Sequence, residues 1–411
     1  MGNYFFLQVF TVIFALSIAT TIFNKRILGF PQAIGVPIVS AIFVFILQWG
    51  ASLLSGNQFI TINIHNIEEA VRHIDFYDFL INGVICFILT SSALKFKVSD
   101  LRSYWKPISI LASIALVLCA VFFGVVLYGY QFIIGQHVDL LVLLLLGAAL
   151  GATDPIGIKG VLSSVRAPHH LMVKLEGESL FNDAMCIALF MTLLNVLQGE
   201  NFTVMGVLQT LLYEIFVAVI IGWAFGLGIL RLLRGKHEME SLILTTALLA
   251  CGSYLVALFA HASAPIACVI GGLIVGNKWK EILQEREIRE VNHFWHTVEG
   301  IINSFLFTLI GLELFILDLS FSLIFGGIVA FIILHASRFA ANYLSFAFFP
   351  SFRKKSYNGS LAILSWGGVR GGISLALILA VANVPELSEY SSILIGYTFI
   401  AVLLSGMVCG L

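Results

Sequence analysis

Charge is what this sequence has least of. Asp, Glu, Lys and Arg make up 11% of its 411 residues, against the roughly 25% usual in a soluble domain. That scarcity, with 59% hydrophobic residues and a mean hydropathy of +1.01, excludes a water-facing globular domain and places the chain among polytopic membrane proteins. A net charge of −1 gives no electrostatic footprint for nucleic acid, and no such partner is expected. Paired cysteine spacing is also missing. Cys86, Cys119, Cys186, Cys251, Cys268 and Cys409 all lie in apolar stretches, so they read as small hydrophobes and not as a disulfide or zinc framework. The N-terminus, "MGNYFF", lacks the basic region of a signal peptide, and Lys25 and Arg26 follow the first apolar run. That order fits a first transmembrane helix entered from outside.

What remains is apolar runs. Thirteen candidate spans lie near 5–23, 31–50, 78–95, 107–129, 139–163, 172–197, 206–231, 240–260, 262–277, 293–316, 321–348, 358–382 and 391–411. Most reach the roughly 20 residues a bilayer requires, and the ninth is short. With the N-terminus outside, alternation puts 19 of the 22 Lys and Arg residues, Lys174 among them, in inside loops and only Arg72 in an outside one. This is the positive-inside pattern, and one span more or fewer in mid-chain would scramble it. The C-terminus is then cytoplasmic. The polar stretch "KWKEILQEREIREVNHFWH" reads as a short cytoplasmic helix joining spans nine and ten. The loop histidines, and the acidic outer loop from Ser52 to Asp75, read as solvated surface.

Arg338 and Arg370 fall inside spans, as do Asp154, Glu178, Asp183 and Glu299, with Glu214 and Glu313 as poorer candidates. A charge at membrane depth costs about 2.5–3.5 kcal/mol on insertion scales and is usually paired or functional. Asp154 sits in "LLLLGAALGATDPIGIKG", where Pro155 cannot donate to a helix and pushes Asp154 out of helical geometry. Span five is therefore interrupted. Span twelve is interrupted at "LSWGGVRGGISLAL", where Gly367, Gly368, Gly371 and Gly372 flank Arg370. Unpaired backbone must face protein or a water-filled cavity. If spans 1–6 and 8–13 are repeats, spans five and twelve correspond. One extra span between the repeats makes them inverted, which is a pointer to a secondary transporter's midplane site.

The stretch "LEGESLFNDAM" opens span six. Glu178, Ser179, Asn182 and Asp183 share one broad helix face there. Asp183 and Asp154 come from neighbouring spans at similar depth. Carboxylate, hydroxyl and freed carbonyl oxygens suit a hard monovalent cation, and taking a carboxylate out of water favours its protonated form. A site that holds a cation or a proton, but not both, suits an exchanger.

"GATDP", "GESLFNDA" and "WGGVRGGISLAL" resemble the signatures of monovalent cation:proton antiporters, in the NhaP-type and sodium/proton exchanger branch. "FWHTVEGIINSFLFTLIGLEL" in span ten adds a fourth match, with Trp295, Glu299, Asn303, Phe307 and Gly311 recurring every four residues. The resemblance implies thirteen helices, a core of mainly spans 4–6 and 11–13, and a dimerisation scaffold made of the other spans. It implies a homodimer in the cell membrane, elevator-like alternating access, and no cofactor beyond the transported ions. It makes Asp183 the carrier, with Asp154, Thr153 and Ser179 as further cation ligands. Asn182 stands where the electrogenic branch has a second aspartate, which suggests one cation for one proton. Glu178 would pair with Arg338 as a structural ion pair. Glu299 and Asn303 are accessory candidates, and Arg370 has no assigned ligand. Span ten has no lysine, which also fits the electroneutral branch.

Na⁺ (or Li⁺) against H⁺ is the expected exchange. K⁺/H⁺ antiport by the same oxygens is the alternative. A channel would need a filter-like repeat, and none is present. An intramembrane hydrolase would need a base beside Ser179, but the nearest span histidine, His335, is in span eleven. The chain is expected to be a transporter and not an enzyme.

Overall fold

A computed structural model of the chain describes residues 5–30, 32–53, 81, 83–154, 168–199, 203–235, 238–312, 320–348, 358–381 and 384–409. Pro155, Gly157, Arg72, Glu313, most of the acidic outer loop and the 353–355 basic cluster lie outside the described residues. Among the described residues every regular element is a helix and none is a strand. Among the described residues, seven helices are long and apolar enough to cross a membrane.

In chain order the helices are α1 (Phe5–Phe23), α2 (Gln32–Leu53), α3 (Ile85–Lys95), α4 (Val98–Ile110), α5 (Leu116–Ile133), α6 (Leu140–Ala149), α7 (His169–Leu197) and α8 (Val204–Leu232). They continue as α9 (Met239–Phe259), α10 (Ala264–Lys278), α11 (Glu285–Leu312), α12 (Phe321–Phe348), α13 (Asn358–Trp366), α14 (Gly372–Val381) and α15 (Ser391–Cys409). Polar residues set several of the starts. Asp139 Oδ1 accepts the Leu141 N–H at 2.9 Å at the head of α6, and Thr203 Oγ1 accepts the Gly206 N–H at 3.0 Å at the head of α8. Each satisfies an amide that the first helical turn leaves open.

α6 packs on α5 and α7, with α4 along the other side of α7. α12 is covered by α5, α13 and α15. α10 is the hub for α3, α8 and α9, and α11 packs on α1, α2 and α3. α10 also fastens the turn between α3 and α4. Asn277 donates to Phe96 O at 2.9 Å and to Leu273 O at 2.8 Å, and its Oδ1 accepts the Val98 N–H at 2.8 Å.

Three expectations are corrected. Span four begins earlier, at Val98, as α4. α4 leaves helical geometry at Tyr104 (φ −124°, ψ 17°) and joins α5 through a π-helical turn at Leu111–Ala115. The polar stretch before span ten is no separate helix. After a 3₁₀ turn at Trp279–Glu281 it runs unbroken into the span as α11. Its start is capped by Glu287, whose carboxylate takes the Gln284 N–H at 2.7 Å, and the Arg286–Glu290 pair at 2.8 Å braces the exposed turn. Lys174 is not in a loop. It is buried inside α7, with its ammonium 5.5 Å from the centre of the Tyr104 ring on α4, within cation–π range.

Candidate functional site

Two helix interruptions meet in the fold. α6 ends at Ala149, and Ala152, Thr153 and Asp154 are non-helical. α13 ends at Trp366 and α14 begins at Gly372, so Gly367–Gly371 is the second break. The breaks are joined directly, because the Asp154 N–H donates to Val369 O at 2.8 Å. A Cβ added at Gly371 would lie 2.9 Å from Asp154 Cβ, and one at Gly368 would lie 2.7 Å from Arg338 Nε. Only glycine permits those approaches.

The freed carbonyls of α6 are taken up by side chains. Arg370 Nη1 donates to Gly151 O at 2.6 Å and to Ala152 O at 3.1 Å, while its backbone N–H donates to Ser405 Oγ at 2.9 Å. A fully buried guanidinium at the C-terminal, negative end of a helix offsets both the open carbonyls and the helix dipole. The sequence left Arg370 without a ligand. Its partners are backbone carbonyls, which carry no residue signature.

α7 lines the same segment and shares Gly151 O with Arg370. Ser179 Oγ donates to Thr153 O. Asn182 Nδ2 donates to Gly151 O at 3.0 Å and faces Thr153 Oγ1 at 3.4 Å. Asp183 is 8% exposed, with the Thr153 backbone and the Asp154 carboxylate as its neighbours. Asp154, Thr153, Ser179, Asn182 and Asp183 therefore form one cluster of oxygen-rich groups, with Arg370 against its backbone side.

Glu178 faces away from that cluster and toward α12. Arg338 Nη2 lies 2.6 Å from Glu178 Oε1 and donates to Leu364 O at 3.2 Å, with 7% and 2% of the two side chains exposed. The pair ties α7, α12 and α13 together. Glu299 is not brought to the aspartates. Its Oε2 takes Lys95 Nζ at 2.6 Å and Ser91 Oγ at 3.0 Å, joining α11 to the end of α3. Asn303 is half-buried one turn along α11 and shares none of the hydrogen bonds of the cluster. His335, the one span histidine weighed as a base, contacts Phe331 O and Cys409 Sγ, each at 3.1 Å.

A membrane protein whose described elements are all helices, with two helix interruptions meeting beside the Asp154 and Asp183 carboxylates, belongs, as a class, with the secondary transporters. The model for the transmembrane sodium/hydrogen exchanger family matches residues 12–410, and the chain belongs to that family. It is 34% identical over 405 residues to the Na⁺/H⁺ antiporter NhaP of Pseudomonas aeruginosa, covering 97% of this chain and 93% of the relative. It is 30% identical over 359 residues to the Na⁺/H⁺ antiporter NhaH of Halobacillus dabanensis, covering 84% and 85%. In fold it is similar to the sodium proton antiporter MjNhaP1 of Methanocaldococcus jannaschii at pH 8, with a TM-score of 0.76, 17% identity and coverage of 99% and 97%.

Proposed function

We propose that this chain exchanges Na⁺ or Li⁺ for H⁺ across the cell membrane, one for one, with cation and proton competing for Asp183. The observation that carries the reading is the convergence of Asp183, Asp154, Thr153 and Ser179 at the contact between the two helix breaks. An ionised Asp183 with hydroxyl and carboxylate oxygens around it is a hard-cation site. A protonated Asp183 has lost the charge that holds the cation, so the two ligands exclude each other. Asn182 binds the cradle through a neutral amide and has no proton to exchange, which leaves one titrating group on that pair of positions. Asp154 keeps one protonation state through the cycle, as one-for-one exchange requires.

The rest of the reading concerns how the site is carried. The chain has thirteen spans, in inverted repeats of spans 1–6 and 8–13, with the N-terminus outside and the C-terminus in the cytoplasm. It works as a homodimer, in which α4–α7 and α12–α15 move as the transporting core against the other helices. The distribution of basic residues supports the orientation, and the paired breaks support the repeat.

The test is cation-induced proton movement in proteoliposomes, scanning Na⁺, Li⁺ and K⁺ at a fixed pH gradient. Proton release on Na⁺ or Li⁺ addition is expected. Cation flux with no opposed proton flux would defeat antiport, and release by K⁺ alone would defeat the choice of ion.

A further inference from the structure

α7 meets the end of α6 through a ladder of three rungs, and one rung is a cysteine. Ser179, Asn182 and Cys186 are three and then four residues apart, so they line one face of α7. Ser179 takes Thr153 O, and Asn182 takes Gly151 O at 3.0 Å. Cys186 Sγ lies 2.8 Å from Ala148 O and 3.7 Å from Ala149 O, and it is fully buried. As α7 advances from 179 to 186, the carbonyls recede from 153 to 148, so the two segments run antiparallel. The rungs are not equivalent. Ser179 and Asn182 hold the unwound segment, while Cys186 holds Ala148 and Ala149, the last helical residues of α6. Asp183 lies between the second rung and the third.

We propose that Cys186 is a positioning residue for cation binding: its thiol pins α7 to the rigid end of α6 and so fixes Asp183 in register with the Thr153–Asp154 cradle. The inference rests on the antiport reading above. A thiol is a weak donor, but this one is fully buried, and it joins the Gly151 N–H, 2.9 Å away, as a second donor to Ala148 O at the point where α6 stops. Without the third rung, the ladder's hydrogen bonds reach only the unwound segment, and α7 meets the helical end of α6 through packing alone. The cradle then loosens in the empty carrier and must be re-ordered when the cation arrives, which weakens binding more than turnover.

The experiment compares wild type with Cys186→Ala and Cys186→Ser, each reconstituted and assayed for Na⁺-driven proton movement. The apparent KM for Na⁺ should rise about fivefold in Cys186→Ala, the equivalent of one ordinary net hydrogen bond, with kcat within about twofold. Cys186→Ser keeps a donor at that position and should stay within about twofold of the wild-type KM. A purely structural cysteine would lower melting temperature and yield without moving KM. Cys186→Val is the second donorless variant should the alanine variant not fold. A wild-type KM in the donorless variant, or an equal rise in Cys186→Ser, overturns the proposal. A second arm measures the Na⁺-induced rise in melting temperature of the purified protein, which reads binding without transport. Wild type that moves no protons defeats the antiport reading, while a donorless variant that binds Na⁺ as tightly as wild type defeats the role of Cys186.

Discussion

Removing one partner of the Glu178–Arg338 pair should cost far more than removing both. The two side chains are 2% and 7% exposed, and their closest atoms are 2.6 Å apart. In Arg338→Ala the Glu178 carboxylate stays buried inside α7 with no counter-charge. Arg338 also donates to Leu364 O at 3.2 Å, so the same change releases the first half of the broken helix. Breaking a buried pair by deleting one member costs about 3–5 kcal/mol, most of it from the stranded charge and not from the lost attraction. At about 2.1 cal/mol/K of unfolding entropy per residue, a chain of 411 residues should lose roughly 3.5–6 °C in Tm. Glu178→Gln should cost less than Glu178→Ala, because an amide still hydrogen-bonds to the guanidinium. The double variant Glu178→Ala/Arg338→Ala buries no charge and should regain part of the loss. The assay is a thermal-stability double-mutant cycle on detergent-purified protein at neutral pH. Single losses that add in the double variant would refute the pairing energetics, whatever their size.

Three further outcomes follow from the site. Asp183→Asn should abolish Na⁺-driven proton movement in proteoliposomes while the protein still elutes as a folded species on gel filtration, since an amide neither titrates nor carries charge. Gly371→Ala should impair transport strongly, because its methyl would press on Asp154 at 2.9 Å; a variant with wild-type turnover would show that the crossing of the two breaks tolerates displacement. If Asp183 alone exchanges its proton, a membrane potential, worth about 2.3 kcal/mol per charge per 100 mV, should not shift the steady-state internal pH at a fixed Na⁺ gradient. A shift with potential, read with a pH dye in potential-clamped liposomes, would mean unequal charge movement and a second titrating carboxylate.

How much of this was legible in the sequence depended on whether the partner of a residue was another side chain or the backbone. The interruptions were legible because glycine and proline act on the chain's own geometry: Pro155 removes a donor, and the glycines around Arg370 permit unwinding. The Glu178–Arg338 contact was legible through the family resemblance, which implied the pairing; the scarcity of charge at membrane depth only marked the two residues as unusual. Arg370 and Cys186 were not readable in the same way. Each meets carbonyl oxygens of Gly151, Ala152, Ala148 or Ala149, and a carbonyl looks the same whatever residue bears it. Lys174 was misplaced for a related reason. A hydropathy window registers its charge but not the Tyr104 ring covering it, and that ring is set by a departure from helical geometry inside α4. The start of α11 was missed because polarity marks where a helix leaves the membrane, not where it ends; the pairs Arg286–Glu290 and Arg289–Glu285 carry it onward through water. In a membrane helix bundle, then, side-chain chemistry tells which residues are unusual, and the backbone left open by broken helices decides what those residues do. The ladder on α7 is the case in point: the sequence marked Ser179 and Asn182 for the site but not Cys186, whose partner is a backbone carbonyl where α6 stops.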